Sequence, residues 1–299
     1  MGLIVLLIFI ICAFYVQNRG AVQHNKLIRK ISDHSNIFGP INCLFYSFSR
    51  IKKSVYIDVG HFPELKVLRD NWKVIRDEAV KLNDDTQIKS SEEKDDLGFN
   101  SFFKTGWKRF YLKWYGASLY SANKLCPKTV ALINSIPSVK GAMFAMLPPG
   151  ARLVKHRDPY AGSFRYHLGL VTPNSEDCFI FVDGKKYYWK DGEAVMFDET
   201  FIHYAENKTD INRIVLFLDV KRPVNFFLVD WINELFSRIF MAATTTKNMD
   251  GDKIGGINRL FPYIFKVRLI GKKIKKSNRG LYYILQYSIY LLIIYGVFF

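Results

Sequence analysis

The sequence predicts an α+β protein in which a barrel of short strands is flanked by helices and bounded by an apolar segment at each end. Residues 139–222 form consecutive β-rich runs separated by turn sequences such as Asp183-Gly184 and Asp191-Gly192. Asp-Gly between two such runs is a strong hairpin signal. The stretches on either side show the helical spacing of apolar residues instead. Several short strands at this spacing indicate a sandwich or jelly-roll barrel.

An uncharged apolar segment lies at each end, Leu3 to Val16 and Leu281 to Phe299. A charge-free apolar run of about 18 residues is a candidate membrane span, and the first run lacks the basic n-region and the cleavage site of a signal peptide. Basic residues follow the first run and precede the second, and such residues stay on the cytoplasmic side. We therefore expect transmembrane anchors at 1–18 and 281–299, with the region between them in the cytoplasm.

Residues 19–98 are expected to form a basic connector and helical region. The chain has a net charge of +16, which suits nucleic acid, a membrane surface or an anionic substrate. The apolar ends favour the membrane, and we expect no nucleic-acid partner. Apolar spacing predicts a helix over about 65–82, followed by an acidic, solvated loop at 83–98. The cysteines lack the CxxC spacing of a zinc site and suggest no disulfide framework.

The region 99–223 is expected to be the barrel domain. It opens at 99–115 with interleaved aromatic and basic residues, which fit either a phosphate-bearing ligand or a sheet edge with solvated lysines. A helix is predicted over 128–135, with Pro137 beyond its end. Residues 224–280 read as amphipathic helices followed by a basic stretch, and the first of these helices could lie on a membrane surface.

His156, Asp158 and His203 form the candidate metal site and the candidate catalytic set. Two imidazoles and one carboxylate are the ligands of a non-haem Fe(II) facial triad, which leaves coordination positions open. His156 and Asp158 point to the same side of an extended segment. His203 follows a separate apolar strand, as the second wall of a double-stranded barrel requires. A lone His-x-Asp pair is common on protein surfaces, so the hypothesis depends on these residues sharing one strand-rich block.

Arg213, Arg165 and His167 are candidate co-substrate ligands. Arg213 opens an apolar strand and would need a carboxylate partner if buried, which the distal carboxylate of a 2-oxoacid could supply in a bidentate pair. Arg165 and His167 lie on one face of another strand and could contact the carboxylate near the metal. His167 could instead replace His156 as a ligand, or be a core histidine. No nucleotide-binding loop or nucleophile elbow occurs in the sequence.

The blocks HRDPYAGSFRYHLGLVTPN and DGEAVMFDETFIHYAENKTDINRIVLFLDV resemble the aspartyl/asparaginyl β-hydroxylase family of Fe(II)- and 2-oxoglutarate-dependent dioxygenases. The resemblance covers roughly residues 100–225 and implies a cupin-like, double-stranded β-helix core. It implies O₂ as the second co-substrate and ascorbate as an expected stimulant. It also implies that His156 and His203 bind iron. It further implies that Arg165, His167 and Arg213 bind 2-oxoglutarate.

Two positions depart from the animal peptidyl hydroxylases of that family. Those enzymes have glycine where this chain has Asp158 and bind iron with two histidines, so this chain could form the full triad. Ala145 stands where they place a serine on 2-oxoglutarate, which puts that contact in doubt.

The fuller pattern, including FNSFFKTGWKRFYLKWY and LCPKTVALINSIPSVKGAMFAMLPPG, resembles the bacterial lipid A 2-hydroxylases. This resemblance implies hydroxylation of carbon 2 of a secondary acyl chain of lipid A, at the cytoplasmic face of the bacterial inner membrane. Basic residues are expected to attract the lipid phosphates, among them Lys104, Lys108, Arg109, Lys272 and Lys273. An ornithine lipid, a peptidyl Asp or Asn side chain, and a non-catalytic membrane-bound binding module remain alternatives. The sequence identifies no protein partner.

Overall fold

A computed structural model describes residues 2–90 and 96–298, while residues 1, 91–95 and 299 lie outside the description. Within the described ranges, eleven strands form two antiparallel sheets. The strands are β1 (Tyr56–Ile57), β2 (Lys108–Trp114), β3 (Ala117–Ser118), β4 (Val139–Leu147), β5 (Arg152–His156), β6 (Ser163–Val171), β7 (Cys178–Val182), β8 (Lys185–Tyr188), β9 (Ala194–Phe197), β10 (His203–Asn207) and β11 (Arg213–Lys221).

The larger sheet has the strand order β1-β9-β6-β11-β4-β2-β3, and the smaller has the order β5-β10-β7-β8. From β4 to β11 the chain passes repeatedly between the two sheets, which is the topology of a double-stranded β-helix. The central strands β4, β6 and β11 are buried along almost their whole length. Their apolar character is therefore continuous rather than alternating. The predicted jelly-roll core is confirmed.

Eleven α-helices occur in the described residues: α1 (Gly2–Asn18), α2 (Leu27–Ile31), α3 (Gly39–Ser47), α4 (Lys66–Asp70), α5 (Trp72–Asp84), α6 (Asn100–Phe103), α7 (Tyr120–Leu125), α8 (Pro127–Asn134), α9 (Phe227–Phe236), α10 (Gly256–Ser277) and α11 (Arg279–Phe298). Helix α5 packs against β6, and α8 packs against β2 and β4, so these helices cover the outer face of the larger sheet. The helix predicted over 65–82 is divided, because α4 ends at Asp70 and α5 begins at Trp72.

The expected transmembrane anchors at 1–18 and 281–299 are not borne out. In the part of the chain that the structure describes, every helix is too short or too polar to cross a bilayer. Helix α1 covers Gly2–Asn18 in the described residues, and helix α11 begins at Arg279 and carries Gln286.

The segment 99–115 belongs largely to the core, which favours its interpretation as part of a sheet over that as a site for a phosphate-bearing ligand. Strand β2 pairs with β4 and β3, and most of its side chains are buried. Arg109 forms a buried ion pair with Asp96 at 3.1 Å. The expectation that Arg109 attracts lipid phosphates is therefore wrong, whereas Lys104 is exposed.

The segment after α1 is attached to the barrel by a buried ionic network around Asp198. The Asp198 carboxylate accepts hydrogen bonds from Arg19 Nη2 at 2.7 Å and Arg222 Nη2 at 3.0 Å. Arg19 Nη1 also donates to Thr200 Oγ1 at 2.9 Å. Burial opposes ionisation of Asp198, but Arg222 and Arg19 outweigh it and hold its pKa below the ordinary value. The network thus keeps a charged carboxylate inside the protein.

We predict that Asp198→Asn destabilises the protein by about 3 kcal/mol at pH 7, because it leaves two buried guanidinium groups without a counter-charge. Since the folded-state pKa of Asp198 is depressed, its stabilisation is complete above the unfolded pKa of about 3.9 and is lost as the pH falls towards the folded pKa. Urea unfolding at pH 7 and at about pH 3 measures the free energy of unfolding of parent and variant. A difference between them that does not shrink in acid would contradict the prediction.

Candidate metal centre

Three possible metal ligands meet where the two sheets enclose a cavity. His156 ends β5 and His203 begins β10, and the antiparallel pairing of these strands sets the two residues opposite each other. Asp158 follows two residues after His156. Ligand atoms from the three residues all lie within 4.8 Å of one another, and the imidazole centroids are 4.2 Å apart. The fold therefore brings together the three residues named from the sequence.

Backbone carbonyls orient both imidazoles. His156 Nδ1 lies 2.7 Å from the Val154 carbonyl oxygen, and His203 Nδ1 lies 2.9 Å from that of Phe201. Because a carbonyl only accepts, each Nδ1 carries the proton and each Nε2 keeps a lone pair for a metal. Burial lowers the pKa of both rings, and that of His203 to about 3. Both histidines are thus neutral at physiological pH, the form that binds metals.

Asp158 is held by two contacts of its own. Its backbone N–H donates to the Glu199 carbonyl at 2.9 Å, and its carboxylate accepts from Arg165 Nη2 at 2.9 Å. Its other carboxylate oxygen lies 3.8 Å from His156 Nε2. Burial disfavours the ionised form, but the charge of Arg165 overcomes it and lowers the pKa of Asp158. Two neutral nitrogens and one anionic oxygen on one face are the donor set that suits Fe(II) with open coordination positions.

Arg165 is surrounded by carboxylates. Besides Asp158, its guanidinium contacts Asp219 Oδ1 at 2.9 Å and the carboxylate of Glu199. Burial raises the pKa of Glu199 well above its ordinary value, although the charge of Arg165 acts in the opposite direction. Although Arg165 lines the cavity, its hydrogen bonds go to these protein groups and fix the position of Asp158.

Arg213 and His167 present hydrogen-bond donors without partners in the same cavity. Arg213 is 2% exposed, and its Nε has no hydrogen-bond partner among the described residues. His167 Nδ1 accepts from Trp189 Nε1 at 3.3 Å, so the proton of the neutral ring is on Nε2. That N–H also lacks an acceptor within the described ranges. The guanidinium carbon of Arg213 lies 4.4 Å from the centre of the Trp189 ring.

The chemistry of these two donors fits a carboxylate ligand. Burial lowers the pKa of Arg213 to about 10, which still leaves it charged at neutral pH. Burial and the charge of Arg213 lower the pKa of His167 well below its ordinary value, so His167 is a neutral donor. An unpaired buried charge is costly, and a bidentate carboxylate would remove that cost at Arg213. A dicarboxylic 2-oxoacid could thus reach the metal with one end and Arg213 with the other.

The rest of the cavity wall is apolar and contributed by both sheets and by α6. The Phe102 ring centre lies 4.6 Å from that of His156, directly beside the metal ligands. Ala145 also lines the cavity and has no hydroxyl to offer a co-substrate. The other apolar lining residues are Phe99, Trp107, Leu153, Ile180, Trp189, Phe197, Ala205 and Phe217.

Sequence reasoning missed Trp189, Glu199 and Asp219. A signal existed for Asp219, because it shares the strand face of Arg213 by the two-residue period of β11. Glu199 lies in the connection between β9 and β10, and Trp189 follows β8. Neither position carries a periodicity that marks it.

Much of the chain is similar to known proteins. The family model described as aspartyl/asparaginyl beta-hydroxylase matches residues 69–223. The ornithine lipid ester-linked acyl 2-hydroxylase of Rhizobium tropici is 33% identical over 183 residues, which cover 59% of this chain and 64% of that protein. The aspartyl/asparaginyl beta-hydroxylase of Homo sapiens is 29% identical over 171 residues, 56% of this chain and 22% of that protein. The chain thus spans less than two thirds of either relative.

Among solved structures, a Pseudomonas putida prolyl-4-hydroxylase aligns with 52% of this chain and 88% of its own. The sequence identity is 17% and the TM-score is 0.33, a similarity too low to add to the family match.

Proposed function

Because the chain belongs to the aspartyl/asparaginyl β-hydroxylase family, we propose that it is an Fe(II)- and 2-oxoglutarate-dependent dioxygenase that hydroxylates a lipid acyl chain. Its curated relatives are hydroxylases, which supports an oxygenase. The observation that carries the proposal is the pair of unpartnered buried donors, Arg213 and His167, beside the cluster of His156, Asp158 and His203. A metal site alone would not need them, whereas a dicarboxylic co-substrate would.

The residues of the cavity would divide the work. His156, Asp158 and His203 would hold the iron, and Arg213 with His167 would bind the distal carboxylate of 2-oxoglutarate. When bound, Fe(II) supplies the O₂ chemistry by which 2-oxoglutarate becomes succinate and CO₂ while a C–H bond becomes C–OH. Arg165 would keep Asp158 in place, and the aromatic wall would exclude water from the reacting centre.

The proposed substrate is a membrane lipid, lipid A. The proposed reaction hydroxylates carbon 2 of one of its secondary acyl chains at the cytoplasmic face of a bacterial inner membrane. The resemblance of residues 99–150 to lipid A 2-hydroxylases supports lipid A. The name of the Rhizobium relative favours an ornithine lipid as the second candidate. A peptidyl Asp or Asn side chain is the third candidate substrate. The apolar wall of the cavity suits an acyl chain better than such a side chain.

Two measurements test the proposal. Purified protein supplied with Fe(II), O₂ and 2-oxoglutarate should form succinate, with turnover stimulated by ascorbate, whereas a non-catalytic binding module would form none. Mass spectrometry of lipids from cells with and without the protein should reveal an acyl chain heavier by one oxygen atom. If that oxygen appears only on ornithine lipid or only on peptide, lipid A is the wrong substrate.

Asp158→Ala tests whether the carboxylate is a ligand. We expect Fe(II) affinity to fall by more than the roughly 10–100-fold that replacing a supporting residue costs, without being abolished, because both histidines remain. Anaerobic equilibrium dialysis measures the dissociation constant, with Asp177→Ala at an exposed position as the matched control. Equal affinity for parent and variant would show that iron is bound by the two histidines alone.

A further inference from the structure

Helices α10 and α11 form a hairpin that leaves most of its surface uncovered. The helices contact each other and are joined at Asn278, where the backbone is extended. In α10 only Asn258 and Phe261 are buried. The surface of α10 includes Val267, which is 67% exposed, and that of α11 includes Leu292, which is 70% exposed. Large exposed apolar patches mark interaction sites.

The charge of the hairpin is of one sign. Residues 253–298 contain no aspartate or glutamate. They contain nine cations: Lys253, Arg259, Lys266, Arg268, Lys272, Lys273, Lys275, Lys276 and Arg279. The elbow between the helices concentrates several of these cations around a shallow cavity of about 560 Å³, lined by Lys272, Lys275, Lys276, Ser277 and Arg279. An anionic surface is therefore the complementary partner.

We infer that the α10–α11 hairpin is a docking surface for an anionic lipid bilayer, with the basic elbow at the phosphate groups and the apolar side chains among the acyl chains. Basic helices with an exposed apolar side lie in the bilayer interface in this way. Neither helix is long and apolar enough to cross the bilayer, so the inference concerns the surface of one leaflet. The inference rests on the proposed function in one respect: the docking surface explains how a lipid substrate reaches the protein.

The docking surface is connected to the metal centre through α1. Helix α1 contacts α11 and exposes its own apolar side chains, including Phe14 at 72%. Near the C-terminal end of α1, the Val16 carbonyl accepts a hydrogen bond of 2.7 Å from Arg157 Nη1. Arg157 lies between His156 and Asp158 in the chain. A bilayer held against α10, α11 and α1 would thus lie beside the element that carries the metal ligands.

Vesicle sedimentation with the full chain tests the inference. We expect the protein to bind vesicles of phosphatidylcholine mixed with phosphatidylglycerol much more tightly than vesicles of phosphatidylcholine alone. Replacing four elbow cations (Lys272→Gln, Lys275→Gln, Lys276→Gln and Arg279→Gln) should weaken binding to the anionic vesicles on the order of 100-fold. A matched variant with four exposed lysines of α5, α7 and α8 replaced (Lys73→Gln, Lys81→Gln, Lys124→Gln and Lys128→Gln) changes the net charge equally and should bind like the parent.

A second variant, Leu260→Ser with Ile264→Ser and Val267→Ser, removes apolar contacts and keeps every charge. It should lower binding to the anionic vesicles at high salt, where the electrostatic contribution is screened. Equal binding to both kinds of vesicle, or equal losses in the elbow variant and its matched control, would overturn the inference. So would a stable dimer, seen by analytical ultracentrifugation, that the apolar variant dissociates.

Failure of the inference and failure of the proposed function are distinguishable. Vesicle binding is measured without iron or 2-oxoglutarate, so it succeeds or fails independently of turnover. Binding without any hydroxylated lipid would contradict the proposed function alone. Hydroxylated lipid without vesicle binding would contradict the docking surface alone.

Discussion

Replacing His203 by alanine is expected to abolish Fe(II) binding and 2-oxoglutarate turnover. The imidazole is neutral, and the Phe201 carbonyl fixes its proton on Nδ1, so Nε2 can serve only as an electron-pair donor to a metal. Without it, one imidazole and one carboxylate would remain of the facial set. The loss should be far larger than the roughly 10–100-fold that replacing a supporting residue costs.

Succinate formation and anaerobic Fe(II) dialysis measure the two effects of His203→Ala separately. His156→Ala should behave in the same way, because the two rings play equivalent parts across the β5–β10 pair. His61→Ala, at an exposed histidine, is the matched control and should retain full activity. If either metal-site variant turns over at the parent rate, the metal assignment is wrong.

Replacing Arg213 by methionine is expected to raise the KM for 2-oxoglutarate by roughly 100-fold, because removing one partner of a buried charge pair costs about 3 kcal/mol or more. Arg213→Lys should lie between parent and methionine variant, since an ammonium group keeps the charge but not the bidentate geometry. Fe(II) affinity should change little, because Arg213 is not a ligand. Steady-state kinetics with varied 2-oxoglutarate give the KM values.

The same variant has an opposite effect on the protein without co-substrate. The guanidinium of Arg213, whose Nε has no partner among the described residues, is buried at a cost, so Arg213→Met should raise the melting temperature of the ligand-free protein. The parent should be stabilised further by 2-oxoglutarate, and the variant should not. A variant with unchanged KM and an undiminished response to 2-oxoglutarate would remove Arg213 from the co-substrate site.

The sequence allowed the jelly-roll core and the meeting of His156, Asp158 and His203 to be predicted because both depend on local regularities. Asp-Gly turns mark hairpins, and His-x-Asp in an extended segment points two donors to one side. The full environment of Arg165 was not predictable, because two of its three carboxylate partners, Glu199 and Asp219, are distant in the chain. A partner of that kind is a property of strand order, which periodicity does not reveal.

The apolar ends show a different limit. Their lack of charge indicated membrane spans, but among the described residues no helix is both long and apolar enough to cross a bilayer. Similarly, the basic-aromatic pattern of 99–115 did not reveal that Arg109 is buried against Asp96. For Arg109 the residue type was informative, but its burial, which decides its role, depends on packing.

The network around Asp198 has a consequence for the order in which the protein folds. Arg19 bonds to Thr200, 181 residues further along the chain, and the loop that contains Thr200 supplies the carbonyls that orient His203 and Asp158. Contacts of such long sequence separation form late, since a large loop must close first. The N-terminal segment leaves the ribosome early, but its contacts with Thr200 can form only after the second half of the barrel is present. We therefore expect the metal centre to be among the last parts of the molecule to acquire its geometry.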